Sequence, residues 1–499
     1  MMIWLVAACI MLVGFLLRNV PFRIAGTDLG VDHWYWKLYL ETYWRDRRFP
    51  PELPQYLLEE HQWYPPLFIM LVARLPRIVF ERYSYLIGLV VDLFRLGIAM
   101  TVAAVVGKGD PFFVAMAGIV YATTPVNVSY NVQLNPRGLG GLFLDLQILL
   151  VLVLVGPAGG PWWLWGVVWS LGALVLLTHK MTTQLLFFLS FTAALITGDV
   201  RIAIIIPASM LVALMLSGGF YWNVLRAHWD IVLFWFRNWP WLQVHPLRES
   251  PIYGEQDYLT PTRFYQPGLK GMLRHARYFF VYNPWAWFLV GLVLLEKDCV
   301  DVFSFGVFLW LSGILLFGVL TLVLPWLRCL GAGYFYVYNT ALPAALLWGA
   351  LMASPHLSRI AVSLACAAFT ISLSGIVMFY RHVRSSRILK VDDDFENLIC
   401  WLTQAPCGTV MCLPANWYDV VAYRTGHPVL YGAHGYGFKS IEPIFPRLLL
   451  SLDEVGHRYG LRYLVTMEGY LNERFMTDLR YDAVRKFGPY RVYLMASCG

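Results

Sequence analysis

The sequence predicts a polytopic α-helical membrane protein that ends in a small, water-soluble α/β domain. Three observations carry this. Hydrophobic residues make up 59% of the 499-residue chain and charged residues only 14%, against roughly a quarter charged in ordinary soluble domains. Mean hydropathy is +0.57; no soluble core absorbs that much apolar surface, so the surplus faces lipid. The composition also changes after Arg381, where a basic stretch (Arg381, His382, Arg384, Arg387, Lys390) and then an acidic one (Asp392, Asp393, Asp394, Glu396) replace the apolar runs.

A membrane-crossing helix needs roughly 17–25 mostly apolar residues. Runs near 2–17, 84–106, 111–126, 138–155, 161–178, 182–197, 202–219, 280–296, 302–326, 335–353 and 360–380 approach that length, giving about eleven spans within residues 1–381. The first lacks the basic leader and small-residue cleavage site of a signal peptide and reads as an uncleaved span followed by Arg18. The 21 Trp and 29 Tyr suit the belts where spans meet headgroups. Two long loops interrupt the spans, 18–83 and 220–279. In the second, 221–239 interleaves aromatics with Arg226, His228 and Arg237, the pattern of an interfacial helix shaping the entrance for a lipid substrate. In the soluble domain, 382–499, strands are expected at 409–413, 428–431, 462–467 and 490–495. Helices are expected at 395–403, 417–423 and 452–459. That alternation suggests a largely parallel sheet. The glycine-rich 432–437 fits no nucleotide-binding pattern and reads as a loop.

Net charge is 38 − 31 = +7, a small excess that hints at anionic ligands or lipid and gives no sign of nucleic acid. The eight cysteines form no CxxC pair and no ligand-spaced cluster with His, so no zinc or redox site is predicted. The loops are unequal. Even-numbered ones (107–110, 156–160, 198–201, 297–301, 354–359) are short and plain. Odd-numbered ones hold the polar clusters: Asp28, Asp32-His33, Asn135-Pro136-Arg137, His179-Lys180, the segment 220–279, and Arg328 with Gly333–Tyr336. Odd loops share one face of the membrane, and an odd span count puts the C-terminal domain there too. That face is expected to be extracytoplasmic, and Cys400, Cys407 and Cys412 would then lie where disulfides form. The positive-inside rule pulls the other way, toward cytoplasmic odd loops; basic groups retained for phosphate binding would explain the conflict.

The first loop runs Gly26-Thr27-Asp28-Leu29-Gly30-Val31-Asp32-His33-Trp34-Tyr35-Trp36 and reaches Gln62-Trp63-Tyr64-Pro65-Pro66-Leu67. An acidic residue outside a first span, an aromatic-rich helix and then Tyr-Pro-Pro-Leu resemble the GT-C superfamily of integral-membrane glycosyltransferases, which use polyprenyl-phosphate sugars. The likeness is to the dolichyl-phosphate-glucose-dependent glucosyltransferases and, more loosely, the protein mannosyltransferases. The resemblance implies a GT-C-like membrane fold and makes Asp32 the catalytic base, with Asp28 its companion. The alternative reading is that both aspartates cap the following helix. Transfer from a lipid phosphate requires a base for the acceptor's proton and cations for the departing phosphate, and no general acid. One base in line gives inversion, unlike the paired carboxylates of glycosidases.

Arg137, His179, Lys180 and Arg328, with His33, are the candidate phosphate ligands, Arg offering a bidentate fork and Lys a point charge. The alternative for each is snorkelling at a span end. Arg328 through Tyr334-Phe335-Tyr336 resembles a Gly…Arg-Tyr motif that opens a late span, with Phe335 where the Arg stands. Trp36, Tyr64 and Tyr336 are the aromatic candidates for the substrate pocket. Asp28 and Asp32 could share a divalent cation, Mg or Mn, through oxygen ligands; no other metal set is predicted. Within the spans, Asp92 and Arg95 lie i, i+3 on one helix and Asp145 at similar depth on another, so Arg95 is expected to pair with one or both.

The expected function is an inverting glycosyltransferase that takes a polyprenyl-phosphate-linked sugar and delivers it to a glycan, lipid or protein acceptor at the cell membrane. A transporter or flippase is the first alternative, although the sequence shows no inverted repeat. A non-catalytic assembly protein is the second.

Overall fold

The computed structural model describes residues 2–30, 32–58, 62–157, 159–242, 268–295, 302–331, 333–354, 358–386, 391–432, 438–445, 449–471, 476–477 and 479–496. Parts of the second long loop (243–267) and of the glycine-rich 432–437 lie outside the described residues, as do Arg387 and Lys390. Helix α1 (Met2–Ala25) leads into the first loop, which holds α2 (Asp32–Asp46), α3 (Leu67–Val72) and α4 (Arg77–Tyr83). The bundle continues through α5 (Leu86–Val106), α6 (Pro111–Ala122), the short α7 (Pro125–Tyr130), α8 (Arg137–Val155), α9 (Leu164–Leu176), α10 (Lys180–Thr197), α11 (Val200–Ala203) and α12 (Ile205–Leu216). After α13 (Phe220–Leu242) come α14 (Gly268–Tyr282), α15 (Pro284–Leu295) and α16 (Val302–Val323). Two 3₁₀ segments, Pro325–Leu330 and Gly333–Thr340, precede α17 (Ala341–Met352) and α18 (Arg359–Ser385).

Seven of the described helices are long and apolar enough to cross a membrane. Four shorter apolar ones, Pro111–Ala122, Leu164–Leu176, Val200–Leu216 and Pro284–Val293, fall at the remaining expected positions. The chain is a multi-pass membrane protein: in lipid, backbone groups must be satisfied within the helix, and this bundle is helical throughout. The ends are marked by ordinary capping chemistry. Asp110 accepts from the Phe112 amide with Pro111 in the first turn, Ser358 accepts from Ala361, and Gly198 closes α10 in the left-handed region.

The first span is longer than expected. Helix α1 runs past Arg18 to Ala25, so the first loop begins at Gly26. Arg18 stays in the helix because it is buried and ion-paired with Asp92 on α5, and it also donates to the carbonyls of Gly14 (3.2 Å) and Ala122 (3.1 Å). Arg95, one turn along α5, pairs with Asp145 on α8 as expected. The partner of Asp92 is Arg18, helped by the Tyr121 hydroxyl at 2.9 Å, rather than Arg95.

Beyond α18, α19 (Asp393–Gln404), β1 (Thr409–Leu413), α20 (Tyr418–Thr425), α21 (Phe438–Ile441), α22 (Leu452–Tyr459), β2 (Leu461–Met467), β3 (Tyr481–Phe487) and β4 (Tyr490–Met495) form the C-terminal domain. Strand order is β1-β2-β4-β3. Only β1 and β2 are parallel, with Met411 opposite Leu464, while β4 runs antiparallel to both β2 and β3. The expectation of a largely parallel sheet fails for two reasons. Residues 428–431 make only isolated bridges through Val429, and the charged edge strand β3, exposed along most of its length, lacks the apolar alternation by which a strand is recognised. The β3–β4 hairpin turns on Gly488 (φ +52°), where a Cβ would overlap the Asp394 carboxylate.

This domain does not stand apart from the membrane half. Trp34, Tyr35, Trp36, Tyr39, Tyr56 and Phe68 of the first loop share one buried cluster with α19, β1, α20 and β2. The Leu57 and Leu58 amides donate to the carbonyls of Val429 and Leu430 at 3.0 and 2.9 Å. The Tyr56 hydroxyl donates to Asp419 at 2.6 Å. Helix α13 buries Val224, Ile231, Phe234 and Trp235 and exposes Trp222, Trp229 and Phe236, the two-sided character expected of 221–239. Its Arg237 reaches Glu442 of the domain at 3.1 Å. Cys400, Cys407 and Cys412 are free thiols, so no pair among them forms a disulfide.

Candidate active site

The first loop leaves α1 through Gly26 and Gly30, both at positive φ, and the polypeptide turns to start α2 at Asp32. The two aspartates of this turn have different surroundings. Asp28 is half exposed and accepts from His33 Nε2 at 3.0 Å and Lys37 Nζ at 2.8 Å. Burial alone would raise its carboxyl pKa, but these two hydrogen bonds and the Lys37 charge outweigh it and hold the group well below the usual carboxylate range. Lys37 lies 5.0 Å over the Trp34 ring, with Arg424 of α20 6.0 Å from the same ring. Asp28 therefore belongs to an ionic patch facing the C-terminal domain.

Asp32 is only 2% exposed and accepts from Gln133 Nε2 at 3.0 Å. Gln133 comes from the segment joining α7 to α8. Tyr64, buried against the edge of Trp36 at 4.8 Å, lies within electrostatic reach of both Asp32 and Arg137. Burial first, and then Asp32, push its hydroxyl pKa far above the ordinary value, with Arg137 opposing. Trp36 is fully buried among Tyr35, Tyr39, Tyr64 and Phe68, where it supports Tyr64 from behind.

Arg137 opens α8. The Asn135 side-chain oxygen accepts from its amide at 2.9 Å and shapes that start. The guanidinium stacks over Tyr130 at 4.3 Å and faces Phe335 at 5.8 Å. His179 caps α10, its Nδ1 2.9 Å from Thr182 Oγ1, and Lys180 is the first residue of that helix. The two helix starts touch: a Cβ on Gly140 would come within 2.9 Å of His179 Cβ. Helix N-termini carry partial positive charge and unpaired N–H groups, so α8 and α10 add to the field of Arg137 and Lys180. Lys180 also acts electrostatically on His228 of α13, which lies 3.1 Å from Gln184.

Three other predicted residues are committed to internal contacts. The His33 imidazole is buried and bonded to Asp28, and burial pushes its pKa down with only partial compensation from that carboxylate. The Tyr336 hydroxyl lies 2.6 Å from Gln184 Oε1 and 2.5 Å from the Leu330 carbonyl, tying the 3₁₀ segments to α10. Arg328 is partly buried on the first 3₁₀ segment and donates to the Leu322 carbonyl at 3.3 Å. Among the described residues no group of three or more His, Cys, Asp or Glu is arranged to hold a metal. Asp28 and Asp32 face different partners, a poor fit to a shared divalent cation.

Neither Gln133 nor Tyr130 stands out in the sequence alone. The run Asn131-Val132-Gln133-Leu134-Asn135, three amides between two apolar stretches, was the available signal for the first.

No family model matches the sequence, and no curated protein matches it. Solved structures do match. ArnT from Cupriavidus metallidurans, bound to undecaprenyl phosphate, superposes with a TM-score of 0.57 at 12% identity over 99% of this chain and 98% of that one. The oligosaccharyltransferase AglB from Archaeoglobus fulgidus, in complex with an inhibitory peptide and a dolichol-phosphate, gives 0.54 at 9% identity over 92% of this chain and 69% of that one. The chain shares its fold with these two membrane proteins. The shared fold spans nearly the whole chain, the small C-terminal sheet domain included. At such low identity the GT-C likeness speaks to fold, and the chemistry must be argued from the side chains.

Proposed function

We propose that this chain is an inverting glycosyltransferase that moves a sugar from a polyprenyl-phosphate carrier to a glycan, lipid or protein acceptor on the extracytoplasmic side of the membrane. The observation that carries the reading is the buried Asp32 carboxylate held by Gln133 of the segment that leads into Arg137 and α8, beside the touching starts of α8 and α10. The fold shared with one enzyme solved with undecaprenyl phosphate and another solved with dolichol-phosphate supports a lipid-phosphate donor.

In this reading the acceptor's nucleophilic group attacks the anomeric carbon from the side opposite the phosphate. The bond from that carbon to the phosphate oxygen breaks, and its electron pair leaves with the polyprenyl phosphate. Asp32 takes the acceptor's proton. Arg137, Lys180 and the two helix N-termini hold the phosphate charge that grows in the transition state. These cations do the work a divalent metal would otherwise do, so chelation should leave transfer unchanged.

The test uses purified protein and polyprenyl phosphate. The lipid phosphate should raise the thermal midpoint of the wild type, since a ligand that binds only the folded state stabilises it. It should do so far less for Arg137→Ala. Equal stabilisation by the uncharged polyprenol, or none by the phosphate, contradicts the proposal.

A further inference from the structure

We propose that Gln133 is a positioning residue for Asp32: its amide holds one carboxylate oxygen and sets the pH range in which the base works. This rests on the reading of Asp32 as the general base. The bond is 3.0 Å from Gln133 Nε2 to Asp32 Oδ2, with both residues buried. An N–H donor to a carboxylate favours its charged form, and burial opposes that form. The amide thus helps to keep Asp32 ionised and turned to a fixed angle in a site that water scarcely reaches.

Gln133 is itself fixed from three sides. Gly30 meets it through bare backbone at φ +92°, where a Cβ would come 2.3 Å from Gln133 Oε1. Gly88 of α5 packs directly on the backbone of 131–133; a Cβ there would approach the carbonyls of Asn131 and Gln133 at 2.9 and 3.2 Å. Asn131 donates to the Asn127 carbonyl at 2.8 Å and accepts from the Tyr338 hydroxyl at 3.1 Å. The Tyr338 ring carries Arg95 at 4.7 Å. The strap bearing Gln133 is therefore anchored to the ion-paired core of the bundle.

The identity of the residue is informative. A second carboxyl 3.0 Å from Asp32 would share a proton with it and raise the pair's pKa. A neutral amide leaves a single base, as departure of a phosphate requires. Among the described residues, Tyr64 lies within electrostatic reach of Asp32 and of Arg137, and His33 follows Asp32 on α2. Behind them stand Asp28 and Lys37, with Tyr423 and Arg424 reaching Asp28 from α20.

The experiment is the pH dependence of kcat, with donor KM, for folded full-length wild type, Gln133→Glu, Gln133→Met, Gly30→Ala and Asp32→Asn. Gln133→Glu should move the acidic limb upward by about one pH unit or more, with donor KM within about twofold. Gln133→Met should lower kcat about tenfold, the scale of one hydrogen bond to a charged group. Gly30→Ala, which displaces the amide from the opposite side, should reproduce part of that loss. A purely structural role would lower activity equally at every pH and leave the limb in place. Wild-type limbs in both Gln133 variants, with Asp32→Asn inactive, overturn the positioning role alone. Transfer by Asp32→Asn at the wild-type rate overturns the base assignment and the positioning role with it.

Discussion

Arg95 on α5 and Asp145 on α8 form a fully buried ion pair, with Nη2 2.7 Å and Nε 2.9 Å from the same carboxylate oxygen. Three residues earlier on α5, Asp92 pairs with Arg18 of α1. Helix α5 is thereby clamped to two neighbours by opposite charges, which at this depth are tolerated because they are paired. Removing one partner strands the other. Arg95→Met should cost about 3–5 kcal/mol of stability, whereas Arg95→Met with Asp145→Leu should recover most of the loss. Unfolding in detergent checks this; a double variant no more stable than the single one contradicts it.

The C-terminal domain is held to the first loop by the 2.6 Å bond from Tyr56 to Asp419, both fully buried. Tyr56→Phe keeps the ring and removes this hydrogen bond to the carboxylate. It should destabilise the protein by about 1.5–3 kcal/mol, the range for hydrogen bonds to charged groups. It should also make segment 386–496 more sensitive to protease. An unchanged digestion pattern would mean the domain is held by apolar packing alone.

Burial lowers the pKa of His33, so the folded protein resists protonating it while the unfolded chain takes the proton below about pH 6.5. Its contribution to stability is therefore present above that pH and lost as the pH falls toward the folded-state pKa. His33→Asn should flatten the fall in thermal midpoint between pH 7 and pH 5 relative to wild type. An identical slope in the two proteins would show that His33 titrates normally.

Cys400 and Cys407 are exposed free thiols on the C-terminal domain, and the proposal puts that domain outside the cytoplasm. A membrane-impermeant maleimide applied to intact cells should label them, and Cys400→Ser with Cys407→Ser, made in a chain that also carries Cys498→Ser, should remove the signal from the domain. Labelling that requires permeabilised cells would place the catalytic face in the cytoplasm.

Much of this was legible from composition and spacing because a lipid environment leaves few alternatives. Apolar runs become helices, and Arg95 needed a buried acid. The errors share a physical cause, since each depended on a partner outside the segment itself. Arg18 looked like a span end because Asp92, the group that lets it stay in the helix, lies 74 residues away. Strand β3 is charged and exposed and is a strand only because β4 pairs with it. The same holds at the site. Asp32 and Arg137 were visible from residue type and position, but Gln133 acquires a role only through a contact across 101 residues. Asp28 and Asp32 are told apart in sequence only by the resemblance, and in the structure by their partners, Lys37 for the first and Gln133 for the second.

The central claim is that Asp32 accepts the acceptor's proton. The most direct measurement is the single-turnover rate of sugar transfer by purified Asp32→Asn, given a polyprenyl-phosphate sugar and acceptor, beside Asp28→Asn and wild type. The account predicts that Asp32→Asn folds, still binds the lipid donor and transfers sugar about 10²–10⁴-fold more slowly, while Asp28→Asn keeps most of its activity. Near-normal transfer by Asp32→Asn with an inactive Asp28→Asn would move the role to Asp28, and normal transfer by both would contradict the mechanism.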